Sequence, residues 1–404
     1  MQKLQWLLLM ISLSSCVGSF EDGGSPVRLI VSVNPTSSGS IDCKGNALII
    51  PQKPGLVLLD LSRFTGTSSN LECGKFLELT GAPFSSINDA VSTPNIYVSL
   101  PSKGVVQRFN YQTPNTLLPQ TPEFKPGDGS EFCPTQLVVT QETFPNTQRL
   151  AVLDNPSNDQ NTGCVSSSNR KLRVLVFTIG AAITPPLTPT SNPKEFDISN
   201  FNFSSGGVSI AVFNNRLYVL GAEFNGRYRI VRFELSNPTI KIASDLFSLD
   251  AKSVSLSVIQ NQNRILASFP NDTTGKVLPI VENNGVTPNT VAFGDELRAG
   301  TTATDPVIGK TTLIRSGGFS TSSFTLFLRS DNVLFQKASQ FVSQNLSSPI
   351  DATFPLDNSI WLLSIKSLLK ADTRFFPEKP QFDSGIDLTG LNPGNVVWTF
   401  DESQ

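Results

Sequence analysis

An all-β fold is predicted by three observations. Beyond its N-terminal leader, the 404-residue chain shows almost no helical periodicity. Short β-branched and aromatic runs alternate instead with turns rich in Asn, Gly, Pro and Ser. An apolar triplet or pair also recurs along the chain, and several of these runs are followed, after a polar turn, by a second strand-like run. The segments Arg28–Val33, Val105–Phe109, Arg173–Phe177 and Phe324–Leu328 read as strands, and Ser359–Lys370 reads as two.

The repeat chooses among the β architectures. Its instances are Leu48-Ile49-Ile50, Ile96-Tyr97-Val98, Leu150-Ala151-Val152, Leu217-Tyr218-Val219, Ile265-Leu266-Ala267, Leu313-Ile314 and Ile360-Trp361-Leu362, spaced 48, 54, 67, 48, 48 and 47 residues apart. These spacings approach the length of a four-stranded propeller blade, and the longest contains the proline-rich stretch Thr184–Pro189. The fold expected is a single β-propeller of seven four-stranded blades over residues 27–404. Radial stacking would cover the two faces of every blade and hide most edges. The N-terminal run Val27–Val33 is expected to close the ring by pairing with Val396–Phe400. The competing architecture, two β-sandwich domains, calls for a linker near the middle of the chain, and none stands out.

Each marker is expected to pair with the strand that follows it: Leu48–Pro51 with Leu56–Asp60, Ile96–Leu100 with Val105–Phe109, Leu150–Asp154 with Leu172–Phe177, and Leu217–Gly221 with Tyr228–Phe233. The stretches NIYVSLPSKGVVQRFNY and RLYVLGAEFNGRYRIVRFELS resemble the middle two strands of blades in the YVTN/NHL-like propeller group. Many members of that group carry Asp or Asn after the first of these strands. Here only some repeats do, as at Asp154, so the resemblance implies a fold and leaves the activity open.

The N-terminus gives an address. Lys3 precedes the apolar stretch Leu4–Leu13, which is too short to span a bilayer and suits a secretory signal peptide. It ends in Leu13-Ser14-Ser15-Cys16, which resembles a bacterial lipobox. The resemblance implies a signal peptide over 1–15, cleavage before Cys16 and diacylglycerol on the Cys16 thiol, with residues 16–26 as a lipidated flexible tether. Two or more acyl chains anchor stably, at about 0.8 kcal/mol per buried methylene. Val17 stands where an Asp would favour retention at the inner membrane. The expected location is therefore the cell envelope, lipid-anchored, at the outer membrane facing the periplasm or the cell surface.

With Cys16 assigned to lipid, four cysteines remain. Sequence proximity favours the disulfides Cys43–Cys73 and Cys133–Cys164, although four cysteines allow three connectivities. Each bridge would stabilise by roughly 3–4 kcal/mol on the chain-entropy model.

Composition removes several chemistries. Net charge is −2 from 31 basic and 33 acidic residues, with no basic cluster, so nucleic acid is not an expected partner. Nucleotide loops of the GxGxxG or GxxxxGK[ST] type are missing, so no nucleotide partner is expected. Histidine is absent, which excludes a Ser-His-Asp triad and imidazole metal ligands. Both methionines lie in the leader. No catalytic, cofactor-binding or metal residue is assigned, and no cofactor is expected, although calcium held by carboxylates and carbonyls is compatible with the composition.

Carboxylate chemistry survives, with Asp42, Asp60, Asp89, Asp154, Glu234, Asp305 and Asp357 near strand ends; turn aspartates favour the same places for local reasons. The 28 phenylalanines read chiefly as filling between sheets, with Phe201 and Phe203 as the alternative exposed pair. The expected function is a non-catalytic binding or scaffolding module for an envelope protein or glycan, and the expectation is that the chain is not an enzyme. The alternative is an exported propeller enzyme, either a carboxylate-dependent glycosidase or lyase, or a calcium-dependent hydrolase. For the anchor, Cys16→Ala should move the protein from the membrane to the soluble fraction on ultracentrifugation; an unchanged distribution rejects lipidation at this residue.

Overall fold

In a computed structural model, the described residues are 27–43, 46–62, 70–88, 95–112, 116–139, 148–156, 164, 171–179, 193–243, 247–248, 255–259, 264–269, 276–282, 291–293, 302–304, 311–315, 323–330, 333–342, 349–353, 359–372 and 385–400. Residues 1–26, with the leader, Cys16 and the tether, lie outside them. Among the described residues no helix is long and apolar enough to cross a membrane.

Among the described residues all the regular structure apart from two single-turn 3-10 segments is antiparallel β. One sheet joins the two ends of the domain, in the order Pro393–Phe400, Val27–Val33, Gly55–Ser62, Asn70–Glu78. Chain order then builds Ser86–Asn88, Asn95–Leu100, Val105–Gln112 and Thr116–Phe124, followed by Pro134–Val139, Arg149–Asp154, Arg173–Thr178 and Lys194–Asp197. Next come Phe203–Phe213, Arg216–Glu223, Arg227–Glu234 and Asn237–Ala243, then Ser255–Ile259, Arg264–Phe269, Lys276–Glu282 and Val291–Phe293. The last sheets are Thr302–Thr304, Thr311–Arg315, Ser323–Ser330 and Val333–Val342, and Pro349–Thr353, Ser359–Ser364, Ser367–Asp372 and Ile386–Asp387.

The first strands of successive sheets touch in turn, from Ser86–Asn88 round to Pro349–Thr353, and Pro393–Phe400 touches both of those. Inner strands therefore surround a centre, and the outer strands face outward. The expected pairing of Val27–Val33 with the C-terminal strand is present, with Val27 opposite Phe400 and Val31 opposite Val396. Ser359–Lys370 does form two strands.

The expectation of seven four-stranded blades is corrected. Among the described residues six sheets have four strands, one has five, and Gly39–Cys43 with Asn46–Ile50 forms a separate two-stranded sheet. The first apolar marker, Leu48-Ile49-Ile50, lies on this hairpin, so it marks no sheet of the ring, and Ile49 is 74% exposed. Its expected partner, Leu56–Asp60, instead joins Val27–Val33 and Asn70–Glu78. The other six markers do lie on second strands of larger sheets. A fifth strand arises because Asn237–Ala243 pairs only with the second half of Arg227–Glu234, and Phe247–Ser248 takes up its start.

Where burial is described, successive residues of a strand pack into the layers on opposite faces of its sheet. Leu29, Val31 and Val33 pack toward Trp361 and Leu363 of the preceding sheet, while Ile30 packs with Ile96 and Val98 of the next. Phenylalanines fill these layers: Phe124 meets Tyr97 and Phe177 edge-on at 5.8 and 5.5 Å, and Phe196 meets Phe233 at 5.5 Å. Phe203 is buried against its own sheet and stacks on half-buried Phe201 at 5.6 Å.

Both expected disulfides are present, with Cα–Cα separations of 5.4 Å for Cys43–Cys73 and 6.0 Å for Cys133–Cys164. The first ties the hairpin to the outer strand of the closing sheet.

A buried ion pair within the closing sheet positions an arginine that hydrogen-bonds across to the neighbouring sheet. Arg28 Nε donates to Tyr111 Oη at 2.8 Å, and Asp60 Oδ1 lies 2.8 Å from the same nitrogen as counter-charge. Removing one member strands the other in a low-dielectric layer. Arg28→Met should cost about 3–5 kcal/mol in chemical denaturation, and Arg28→Met/Asp60→Leu should recover most of that loss. A double-variant loss equal to the sum of the Arg28→Met and Asp60→Leu losses would show that the pair is not coupled.

Candidate functional site

The predicted acids scatter. Asp42 is exposed on the hairpin, and Asp60 is taken up by Arg28. Glu234 Oε1 accepts from Arg216 Nε at 3.2 Å and lies 3.6 Å from Arg232 Nη2. Asp89, Asp305 and Asp357 lie outside the described residues.

Asp154 is the most deeply buried of them, at 2% exposure, and its site is the richest in charge. It ends one strand, opposite Arg173 at the start of the next. Its Oδ1 accepts from the Cys133 amide at 2.8 Å and its Oδ2 from Arg173 Nε at 2.8 Å. Arg173 donates further to Glu195 at 2.9 Å and to Ser130 Oγ at 2.7 Å. Burial works against the Arg173 charge, but the hydrogen bond and charge of Asp154, with Glu195, outweigh it and hold the guanidinium more firmly protonated than usual. The Cys133–Cys164 bridge begins at the residue whose amide Asp154 accepts. With one oxygen on the Cys133 amide and the other on Arg173, Asp154 stitches together the end of its sheet.

The inner strands give a different constellation. Ser, Thr, Asn and Gln recur along them, as at Ser86, Thr135, Gln136, Ser209, Ser255, Thr302, Thr353 and Asn395. Asp351 is the one charged residue on the described inner strands. It is half-buried, and its Oδ2 accepts from Asn395 Nδ2 and, at 2.9 Å, from the Val396 amide of the neighbouring inner strand. Gln136 plays a similar bridging role elsewhere in the ring. It receives the Ile210 amide at 2.9 Å and donates to Ser209 Oγ at 3.2 Å, and Ser209 in turn receives the Leu256 amide at 3.0 Å. Amide donors fix Asp351 in direction, while its partial exposure keeps it within reach of solvent.

Reasoning from strand ends missed Asp351. It sits in Pro349–Thr353, nine residues before the marker Ile360, so the signal was its offset from the repeat: the strand before each second strand is the inner one. Among the described residues no group of three or more acids and cysteines is placed to hold a metal ion.

No family model matches the chain. No curated protein matches it either. Solved structures do. The periplasmic gluconolactonase PpgL of Pseudomonas aeruginosa is similar at 10% identity and a TM-score of 0.58, over 93% of this chain and 99% of that one. A putative 6-phosphogluconolactonase from Bacteroides uniformis is similar at 11% identity and 0.57, over 93% and 100%. A functionally unknown protein from Desulfotomaculum acetoxidans is similar at 9% identity and 0.55, over 94% and 100%. At such identities the likeness is one of fold: the chain has an all-β fold resembling that of β-propeller proteins. The expectation that the chain is not an enzyme is corrected, since proteins described as lactonases are among those sharing its fold. The lack of histidine had carried too much weight. Hydrolysis of an activated ester needs a proton acceptor for water, and a carboxylate supplies one.

Proposed function

We propose that this protein is an exported hydrolase of small polar esters, with a sugar-derived lactone as the substrate class and Asp351 as general base. The carrying observation is that Asp351 is the only charge on the described inner strands, among neutral hydrogen-bonding residues. The likeness in fold to a periplasmic gluconolactonase supports the same class. Glycosidases work with a pair of carboxyls about 5–10 Å apart. Lactone opening works with one: the carboxylate takes a proton from water, the oxygen attacks the carbonyl carbon, and the ring C–O bond breaks. The proton then passes to the departing ring oxygen, leaving a hydroxy acid.

The orientation of Asp351 comes from Asn395 and the Val396 amide, so the base is aimed before substrate arrives. Anchoring through Cys16 would hold the enzyme at the envelope, where small polar sugar acids and their lactones are soluble partners. The scaffold reading, in which a face of the same fold docks an envelope protein or glycan, is retained as the competing outcome.

The test is hydrolysis of glucono-δ-lactone against buffer alone. The purified protein should accelerate it, and Asp351→Asn should lower kcat by about 10²–10⁴-fold. Asparagine still offers an oxygen to Asn395 and Val396, so the variant's melting temperature should stay close to that of the parent. No acceleration by the parent protein, or an unchanged rate in the variant, would sink the proposal.

A further inference from the structure

Buried cations recur at one place in the fold. In three sheets the aromatic centre of the apolar marker faces a cation across the ladder: Tyr97 opposite Arg108, Tyr218 opposite Arg232, Trp361 opposite Lys370. All three cations are more than nine-tenths buried, at 8%, 6% and 4% exposure. Lys370 Nζ lies 5.6 Å from the centre of the Trp361 ring. Two residues further along these strands stand Asn110, Glu234 and Asp372.

The Arg232 sheet supplies its own counter-charge through Glu234, which Arg216 shares from the adjoining strand. In the Arg108 sheet both corresponding positions are neutral. Asn110 replaces the acid and donates to Asn95 at 3.1 Å, and Asn95 stands in register where Arg216 does. Arg108 Nε makes no hydrogen bond, and no carboxylate among the described residues pairs with this guanidinium. The contrast with Arg173, which binds Asp154 and Glu195, and with Arg28, which binds Asp60, is sharp.

The place is defined by its neighbours. Arg108 shares a strand face with Val106, so it looks into the layer where Tyr97 and Phe124 meet Phe177 and Ile179 of the next sheet. Half-buried Asn110, two residues on, marks the direction of solvent. A guanidinium without counter-charge in such an aromatic layer costs several kcal/mol, and its planar fork matches a carboxylate or phosphate oxygen pair. We propose that Arg108 binds a small oxyanion in this seam, at a site separate from Asp351, supplying from solution the negative charge that Glu234 supplies to Arg232 within the chain.

The test follows melting temperature while sodium phosphate or sodium acetate replaces chloride at constant ionic strength, so that screening is held equal. Binding to the folded state alone raises stability with ligand concentration. The parent protein should melt about 2 °C or more higher in the bound anion than in chloride. A response to phosphate alone assigns a phosphate group, and a response to acetate alone assigns a carboxylate. Asn110→Asp places an acid where Glu234 stands, and should weaken the anion response at least tenfold while raising the melting temperature in chloride. Arg108→Gln should abolish the response; should it fail to fold, Asn110→Asp carries the test. Equal melting temperatures of the parent in all three salts, or an undiminished response in Asn110→Asp, would overturn the assignment. Lactone hydrolysis, measured in parallel, should be unaffected by Asn110→Asp, which separates this site from Asp351.

Discussion

Everything in this structure depends on one pairing, the insertion of Val27–Val33 between Pro393–Phe400 and Gly55–Ser62. The sheets whose side chains are described are apolar on both faces, and a sheet of that kind is not stable alone. Its faces are covered only by the sheets before and after it, so a row of such sheets leaves two faces bare unless its ends meet. The N-terminal strand meets that need by joining a sheet whose inner member arrives at the end of the chain. Leu29 and Val31 then cover the last layer and Ile30 the first. The Arg28–Asp60 pair and Tyr111 lie at this junction, where a polar latch also ties the closing sheet to its neighbour.

Closure sorts the polar residues by radius. Near the centre, inner strands from adjacent sheets touch directly, and their contacts are hydrogen bonds through Gln136, Ser209, Asp351 and Asn395. Further out the layers are aromatic and aliphatic, and a charge there must have a partner. Arg173, Arg28 and Arg232 have carboxylates close by, whereas Arg108 has Asn110 in the matching position. A carboxylate near the centre, half-exposed and held by amides, differs in kind from one buried against a guanidinium. The first lies within reach of water, and the second is enclosed by a guanidinium and a backbone amide. This distinction sets Asp351 apart from Asp154, although both are well hydrogen-bonded.

The hairpin Gly39–Ile50 shows what a repeat count overlooks. Its apolar run Leu48-Ile49-Ile50 has the composition and spacing of the markers, yet Ile49 faces solvent. The difference is that the hairpin is held by Cys43–Cys73 and a few side-chain contacts, with Ile41 and Ile50 buried beneath it. A disulfide lets a short two-stranded element persist without a second layer, and an exposed apolar residue is then tolerated.

Local patterns were enough to locate the strands. Six of the seven apolar markers, the polar turns after them and the grouping of four cysteines into two near neighbours are short-range or compositional, and they appear in the fold where they were expected, as does the long-range pairing of Val27–Val33 with Val396–Phe400. Compositional too is the absence of histidine, which narrows the chemistry to carboxylates. Tertiary structure decided that the strand before each marker is the inner one, and with it that Asp351 lies on an inner strand, because rank within a sheet is fixed by how the ring closes. It also decided that Asp154 and Asp60 are consumed by arginines across a ladder, that one marker belongs to a hairpin, and that Arg108 lacks the acid its counterpart possesses. Those are pairings between residues whose proximity comes from register and closure, and the linear sequence records neither.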